Sequence, residues 1–326
     1  MRSSEVAGSM RVPSPRGAPM QRPIRAIAAL AVAGVALAGC ATSDPTGSGG
    51  GEAAGDGEIV IGSNAFPEAE ILAYIYGIAL EDGGLDVSYT LSIGARQQTF
   101  PALEDGSITL QPEYTGNLLN YLDESNTLTD PQEVADALDT ALEGTGLVAY
   151  DYAEAQDQDA YVVTSEYAEA NGLESIADLA PLQPFTLGSN PQFAELPYGI
   201  PGLERAYGIT DVEFVQFEDY GGPATVQALL DGTVDVADIY TTSPALEQYG
   251  LVVLDDPEQI IAAQNIVPVL SESIASDQVE EILNGISAEL TTDDLIALRT
   301  RVEGDETAAP ETAARDWLVE KGLIDG

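Results

Sequence analysis

The chain has 326 residues, 44% hydrophobic and 20% charged, which is enough apolar material for one or two cored domains in water. With 55 acidic residues against 11 basic ones its net charge is −44, which excludes nucleic acid as a partner. Histidine is absent and cysteine occurs once, so imidazole catalysis, the usual zinc sites and an intramolecular disulfide framework are excluded too.

Five arginines (Arg2, Arg11, Arg16, Arg22, Arg25) precede an apolar run over residues 26–38 that is too short to span a bilayer and reads as the hydrophobic region of a signal peptide. It ends in Leu37-Ala38-Gly39-Cys40, which resembles a bacterial lipobox. That resemblance implies cleavage after residue 39 and a diacylglycerol on Cys40, tethering the mature chain to the outer face of the cell membrane. Residues 40–57 carry glycine and small polar side chains that bury nothing and read as a flexible tether. Removing residues 1–39 takes away five of the 11 bases and one of the 55 acids, leaving 54 acids against six bases. So acidic a surface suits a positively charged solute, although adaptation to salt gives the same composition.

From residue 58 short apolar strands alternate with amphipathic helices. Ile59-Val60-Ile61-Gly62 reads as a buried strand, and Pro67 at the first helical position opens a helix that Gly83-Gly84 ends. Residues 85–93 read as a strand, 97–104 as a helix, 107–110 as a strand, 116–122 and 131–143 as helices, and 147–150 as a strand. A second set of units places strands at 161–163, 185–188, 212–217, 234–240 and 251–254, with a helix at 224–230. A last strand at 266–270 precedes three helices, at 277–289, 292–303 and 310–321. The class is α/β in two lobes.

Within this pattern Gln111-Pro112-Glu113-Tyr114-Thr115-Gly116 puts a tyrosine after a strand and before a helix, where ligands of α/β proteins sit. Neither a Gly-x-x-x-x-Gly-Lys-Ser/Thr loop nor a Gly-x-Ser-x-Gly elbow occurs, so nucleotide hydrolysis and standard serine hydrolysis lack their signatures. No cofactor or metal is called for.

Gly62-Ser63-Asn64-Ala65-Phe66-Pro67-Glu68, the run from Ala102 to Ile108, Pro112-Glu113-Tyr114-Thr115-Gly116, Tyr240-Thr241-Thr242 and Asn265-Ile266-Val267-Pro268-Val269 resemble, in order, motifs of the glycine betaine, carnitine and choline-binding proteins of ABC importers. The resemblance runs from residue 58 to the C-terminus. It implies the type II periplasmic-binding fold, with lobe 1 formed by residues 58–158 plus 262–326 and lobe 2 by 159–261, joined by two crossing strands. It also implies a monomer that delivers a quaternary ammonium ligand to a membrane permease.

Family members hold the ammonium in a cage of tyrosines, because a trimethylammonium group has no N–H to donate and ring faces must replace its hydration. Tyr114, Tyr161 and Tyr240 match cage positions. A fourth corresponds to Gln264, and Tyr198 and Tyr220, in glycine- and proline-rich loops, are candidates for the missing face. Positions of a carboxylate clamp fall on Asn64, Asn117 and Leu196, so both of the clamp's cations are missing. Either the ligand carries a hydroxyl bound by Asn64, Asn117 or Gln264, or Arg96 supplies a replacement charge; Arg96 paired with a protein carboxylate is the other reading. A hydrolase with Glu113 and Asp238 as a carboxylate pair and a ligand sensor for a membrane partner are the alternative functions.

Overall fold

The computed structural model describes residues 57–326, so the leader, Cys40 and nearly all of the tether lie outside the described residues. The apolar run at its start is strand β1 (Ile59–Asn64), all six residues buried. Helix α1 (Pro67–Asp82) follows, its Pro67 pre-set to helical φ, and β2 (Val87–Gly94) returns parallel to β1. Helix α2 (Arg96–Glu104) leads to β3 (Leu110–Tyr114), which passes directly into α3 (Thr115–Leu122). Asp130 caps α4 (Pro131–Leu142) by accepting the N–H groups of Gln132 and Glu133, and β4 (Leu147–Ala149) follows.

Strand β3 differs from the sequence expectation. The strand over 107–110 lies instead at 110–114 and contains both Pro112 and Tyr114. Its partner explains how a proline is tolerated there. Strand β10 (Ile266–Ser271) pairs antiparallel with β3 so that Pro268 stands opposite Pro112, and the flanking bonds from Thr115 N–H to Asn265 O and from Ser271 N–H to Thr109 O put both prolines where the β3–β10 ladder uses neither N–H.

The second set of units begins with β5 (Tyr161–Thr164) and α5 (Ser165–Asn171), then β6 (Phe185–Ser189) and the single turn α6 (Ile200–Gly202). It continues through β7 (Val212–Gln216), α7 (Pro223–Leu230), β8 (Val236–Asp238), α8 (Ala245–Gln248) and β9 (Leu251–Val253). The strand expected over 234–240 is shorter, because the chain turns out of the sheet after Asp238 and carries Tyr240 into a loop. After β10 come α9 (Asp277–Glu289), α10 (Thr292–Glu303) and α11 (Pro310–Lys321).

Two five-stranded mixed sheets result, ordered β2-β1-β3-β10-β4 and β7-β6-β8-β5-β9. In each, three parallel strands are joined to two that run antiparallel to a neighbour. Both faces of both sheets are covered. On the first sheet Ile71, Leu72, Leu283 and Leu318 pack on one side and Phe100, Leu118 and Leu138 on the other; Phe193 and Leu203 flank the second sheet opposite Val226 and Leu229. That is why inner strands such as β1, β5 and β10 read as continuous apolar runs, whereas the edge strand β2 alternates.

Two extended segments connect the sheets and lie against each other. Ala153 N–H donates to Ile266 O at 2.8 Å, Asp157 N–H to Gln264 O at 3.2 Å, and the Gln158 amide to Ala262 O at 3.1 Å. Gly116 is needed where the second segment passes: a Cβ on it would stand 2.5 Å from Ala263 O, and its own N–H donates to that oxygen at 3.1 Å. Thr115 fastens the same crossing, its hydroxyl donating to Ala263 O and accepting from Asn265 N–H.

Candidate ligand-binding site

Carboxyl ends of β1, β3 and β8 converge on the cleft between the sheets, and the residues just past them line a cavity of about 100 Å³. Phe66 sits at the residue preceding α1, where Pro67 holds it extended (φ −145°, ψ 155°) with its ring toward the cleft wall. Its centroid is 6.0 Å from that of Tyr114, 5.9 Å from Tyr220 and 6.1 Å from Tyr240. These four rings share one cavity, two from each sheet's side, and Tyr198 adds a fifth ring to its lining. Tyr220 holds φ at +52°, a backbone conformation that costs a non-glycine residue energy and recurs at ligand sites.

The remaining wall is polar. Asn64 Oδ1 accepts from Thr99 Oγ1 at 3.0 Å and Gln111 Nε2 at 3.3 Å, and Asn190 Oδ1 accepts from Phe193 N–H at 3.2 Å. Asn117, at the start of α3, accepts from the Tyr198 hydroxyl at 2.6 Å and donates to Asp159 at 3.4 Å, which joins the two halves across the cleft. Gln192 lines the same wall with its Oε1 buried and unpartnered. Leu196 lines it as well.

Asp157 and Asp159 stand two residues apart on the first connecting segment and both line the cavity, while Gln156 and Gln158, together with Asp159, line a second depression. Burial pushes both carboxyls above the ordinary carboxylate range. Behind Asp157 lies Glu68 of α1, pushed up to about 8 by burial and then by the Asp157 charge. Glu68 accepts from the Tyr114 hydroxyl at 2.8 Å and from Thr242 Oγ1 at 2.6 Å, and Arg299 Nη1 donates to Thr242 Oγ1 at 2.8 Å. Thr242 thereby ties the second sheet's loop to α1 and α10 of the first. Behind Asp159 lies Asp238, fully buried, whose carboxyl burial and the Asp159 charge hold well above the ordinary range.

Of the residues singled out in the sequence, Asn64, Arg96, Tyr114, Asn117, Tyr198 and Tyr240 line this cavity, with Tyr220. Tyr161 and Gln264 do not. The Tyr161 ring packs edge-on to Phe193 at 5.5 Å inside the second core, and its hydroxyl donates to Tyr198 O at 2.7 Å, so it supports the wall from behind. Gln264 spends both side-chain polar atoms on Asn117, accepting from its N–H at 2.9 Å and donating to its Oδ1 at 3.1 Å. Arg96 is at the cavity, but Glu113 takes its charge through Nε at 3.1 Å and Nη2 at 2.6 Å. Glu113 and Asp238 accordingly have separate partners, Arg96 for one and Ser189 Oγ, at 2.7 Å, for the other.

Sequence reasoning passed over Phe66, Asp157, Asp159, Asn190 and Gln192. Phe66 carried the same signal as Tyr114, a ring at a strand's carboxyl end before a helix. The alternation Gln156-Asp157-Gln158-Asp159 marked an extended segment with one acidic face, a pattern easily lost among 55 acidic residues.

Two α/β lobes of matching strand order, joined by two extended segments with a cavity between them, are the type II periplasmic-binding architecture of solute-binding proteins. A family model described as the substrate binding domain of ABC-type glycine betaine transport systems matches residues 57–320, and the chain belongs to that family. The glycine betaine-binding protein YehZ of Escherichia coli (strain K12) is 27% identical over 279 residues, covering 81% of this chain and 90% of its own length. A crystal structure of apo YehZ superposes with a TM-score of 0.61 at 26% identity, over 82% of this chain and 99% of that one. The crystal structure of a glycine betaine/carnitine/choline ABC transporter gives 0.68 at 19% identity, over 82% and 100%, and shares the fold. The chain is therefore a substrate-binding component of an ABC importer, and such components work outside the cytoplasm. No helix among the described residues is long and apolar enough to cross a membrane.

Proposed function

We propose that the chain captures a quaternary ammonium solute between its lobes, residues 58–158 plus 262–326 and residues 159–261, and presents the closed form to its permease as a monomer rather than catalysing a reaction. One observation carries this reading: four rings, Phe66, Tyr114, Tyr220 and Tyr240, surround a single cavity whose only lining cation, Arg96, is already paired. Ring faces stabilise an alkylated ammonium by about 0.5–2 kcal/mol each, and they need no N–H from it. Asn64 and Asn190, with their carbonyl oxygens already engaged, keep amide N–H groups for the ligand's other end. Tyr198 and Asn117 close the lobes over it, Tyr161 and Gln264 hold that pair in place, and Arg96 fixes Glu113 beside it.

Cys40 carries the lipid anchor in this reading, with residues 41–57 as tether. Titration calorimetry with choline, glycine betaine and carnitine tests the binding; a folded protein that binds none of the three refutes it. Mass spectrometry of the mature N-terminus tests the anchor, and an unmodified Cys40 in membrane fractions refutes that part.

A further inference from the structure

Carboxyls outnumber guanidiniums around the cavity. Glu68, Glu113, Asp157, Asp159 and Asp238 are all buried, against Arg96 and Arg299, and Arg299 is shared with Glu303. Glu113 is neutralised by Arg96, and the Glu68–Asp157 pair has Arg299 at hand. Asp159 has no cation. On the cavity side it is faced by Asn117 Nδ2 at 3.4 Å from α3 and by Tyr198 and Tyr240; Asp157 is on its own segment, Tyr161 and Asp238 are behind it, and the Arg96–Glu113 pair lies elsewhere on the wall.

Asp238 carries a second sign of this imbalance. Its Oδ2 accepts from Ser189, while its Oδ1, fully enclosed, has no partner as long as both aspartates are ionised. A proton on Oδ1 directed at Asp159 supplies that partner, and burial favours it by raising both carboxyls.

Resting on the quaternary ammonium reading above, we propose that Asp159, backed by Asp238, is the counter-ion of the bound ligand, so that the cavity selects ligands of net positive charge over zwitterions. With one proton shared the pair carries a single negative charge, which a single fixed cation beside Asp159 balances. A zwitterion brings a carboxylate into the same wall, where Arg96 is not available to meet it.

The test is titration calorimetry of the purified protein with choline and with glycine betaine. Expected results are choline at least about tenfold tighter than betaine, and Asp159→Asn lowering choline affinity about tenfold with betaine little changed. Betaine binding as tightly as choline overturns the inference. So does a folded Asp159→Asn variant with an unchanged choline-to-betaine ratio. If that variant does not fold, the selectivity of the unmodified protein still decides the matter. Binding of neither probe overturns the underlying ligand reading instead.

Discussion

Phe66 is the hub of the aromatic wall, and replacing it with leucine removes the ring face while keeping apolar bulk. The side chain is half-buried, lies at the entrance to α1 rather than within a core, and its ring neighbours Tyr114, Tyr220 and Tyr240 at about 6 Å each. Leu retains most of the apolar contact, so the fold loses little, on the order of 1 kcal/mol. The ligand loses one cation–π face, about 0.5–2 kcal/mol, which is roughly a 2- to 30-fold rise in Kd. Calorimetry with the tighter of choline and betaine measures it, with thermal unfolding as the control for folding. A Kd unchanged within twofold in a protein of unchanged Tm refutes the cage, because a ring at the centre of the wall cannot be irrelevant to a cation held there. A double-mutant cycle with Tyr240→Leu then gives a coupling term if both rings face the same ammonium.

Arg96→Met strips Glu113, itself 1% exposed, of its only cation, and should cost about 3–5 kcal/mol, a fall in Tm of roughly 10 °C, largely restored by Glu113→Gln; an unchanged Tm refutes the pairing. Gly116→Ala forces a Cβ against Ala263 O where the connecting segments cross and should destabilise by about 1–3 kcal/mol, read from denaturant midpoints. Glu68 keeps its proton in the folded protein up to about pH 8, whereas its ordinary value is 4.5. Between those values the unfolded chain has released a proton that the folded chain still holds, so stability falls as pH rises, by at most about 5 kcal/mol from this group. Guanidinium midpoints at pH 5 and pH 8.5 check the sign, and Glu68→Gln should flatten the slope; stability that climbs over that interval refutes it.

Much of the molecule was determined by local physics that a sequence displays. Strand runs such as Ile59–Ile61 are apolar without alternation because both sheet faces are covered, and Pro67 and Asp130 mark helix starts by their own backbone chemistry. Tyr114 was legible for a similar reason: a strand that ends at a cleft must offer its last side chain to it. What the tertiary structure alone decided is which polar groups are already satisfied. Arg96 is a free positive charge in the sequence and a paired one beside Glu113, seventeen residues away and on another element. Tyr161 and Gln264 sit at the right places along the chain, yet face Phe193 and Asn117 instead of the cavity, because side-chain direction depends on what packs behind it. Asp157 and Asp159 were two among 55 acids until the fold buried them beside Glu68 and Asp238, and burial is what gives a carboxyl a pKa, and a role, of its own.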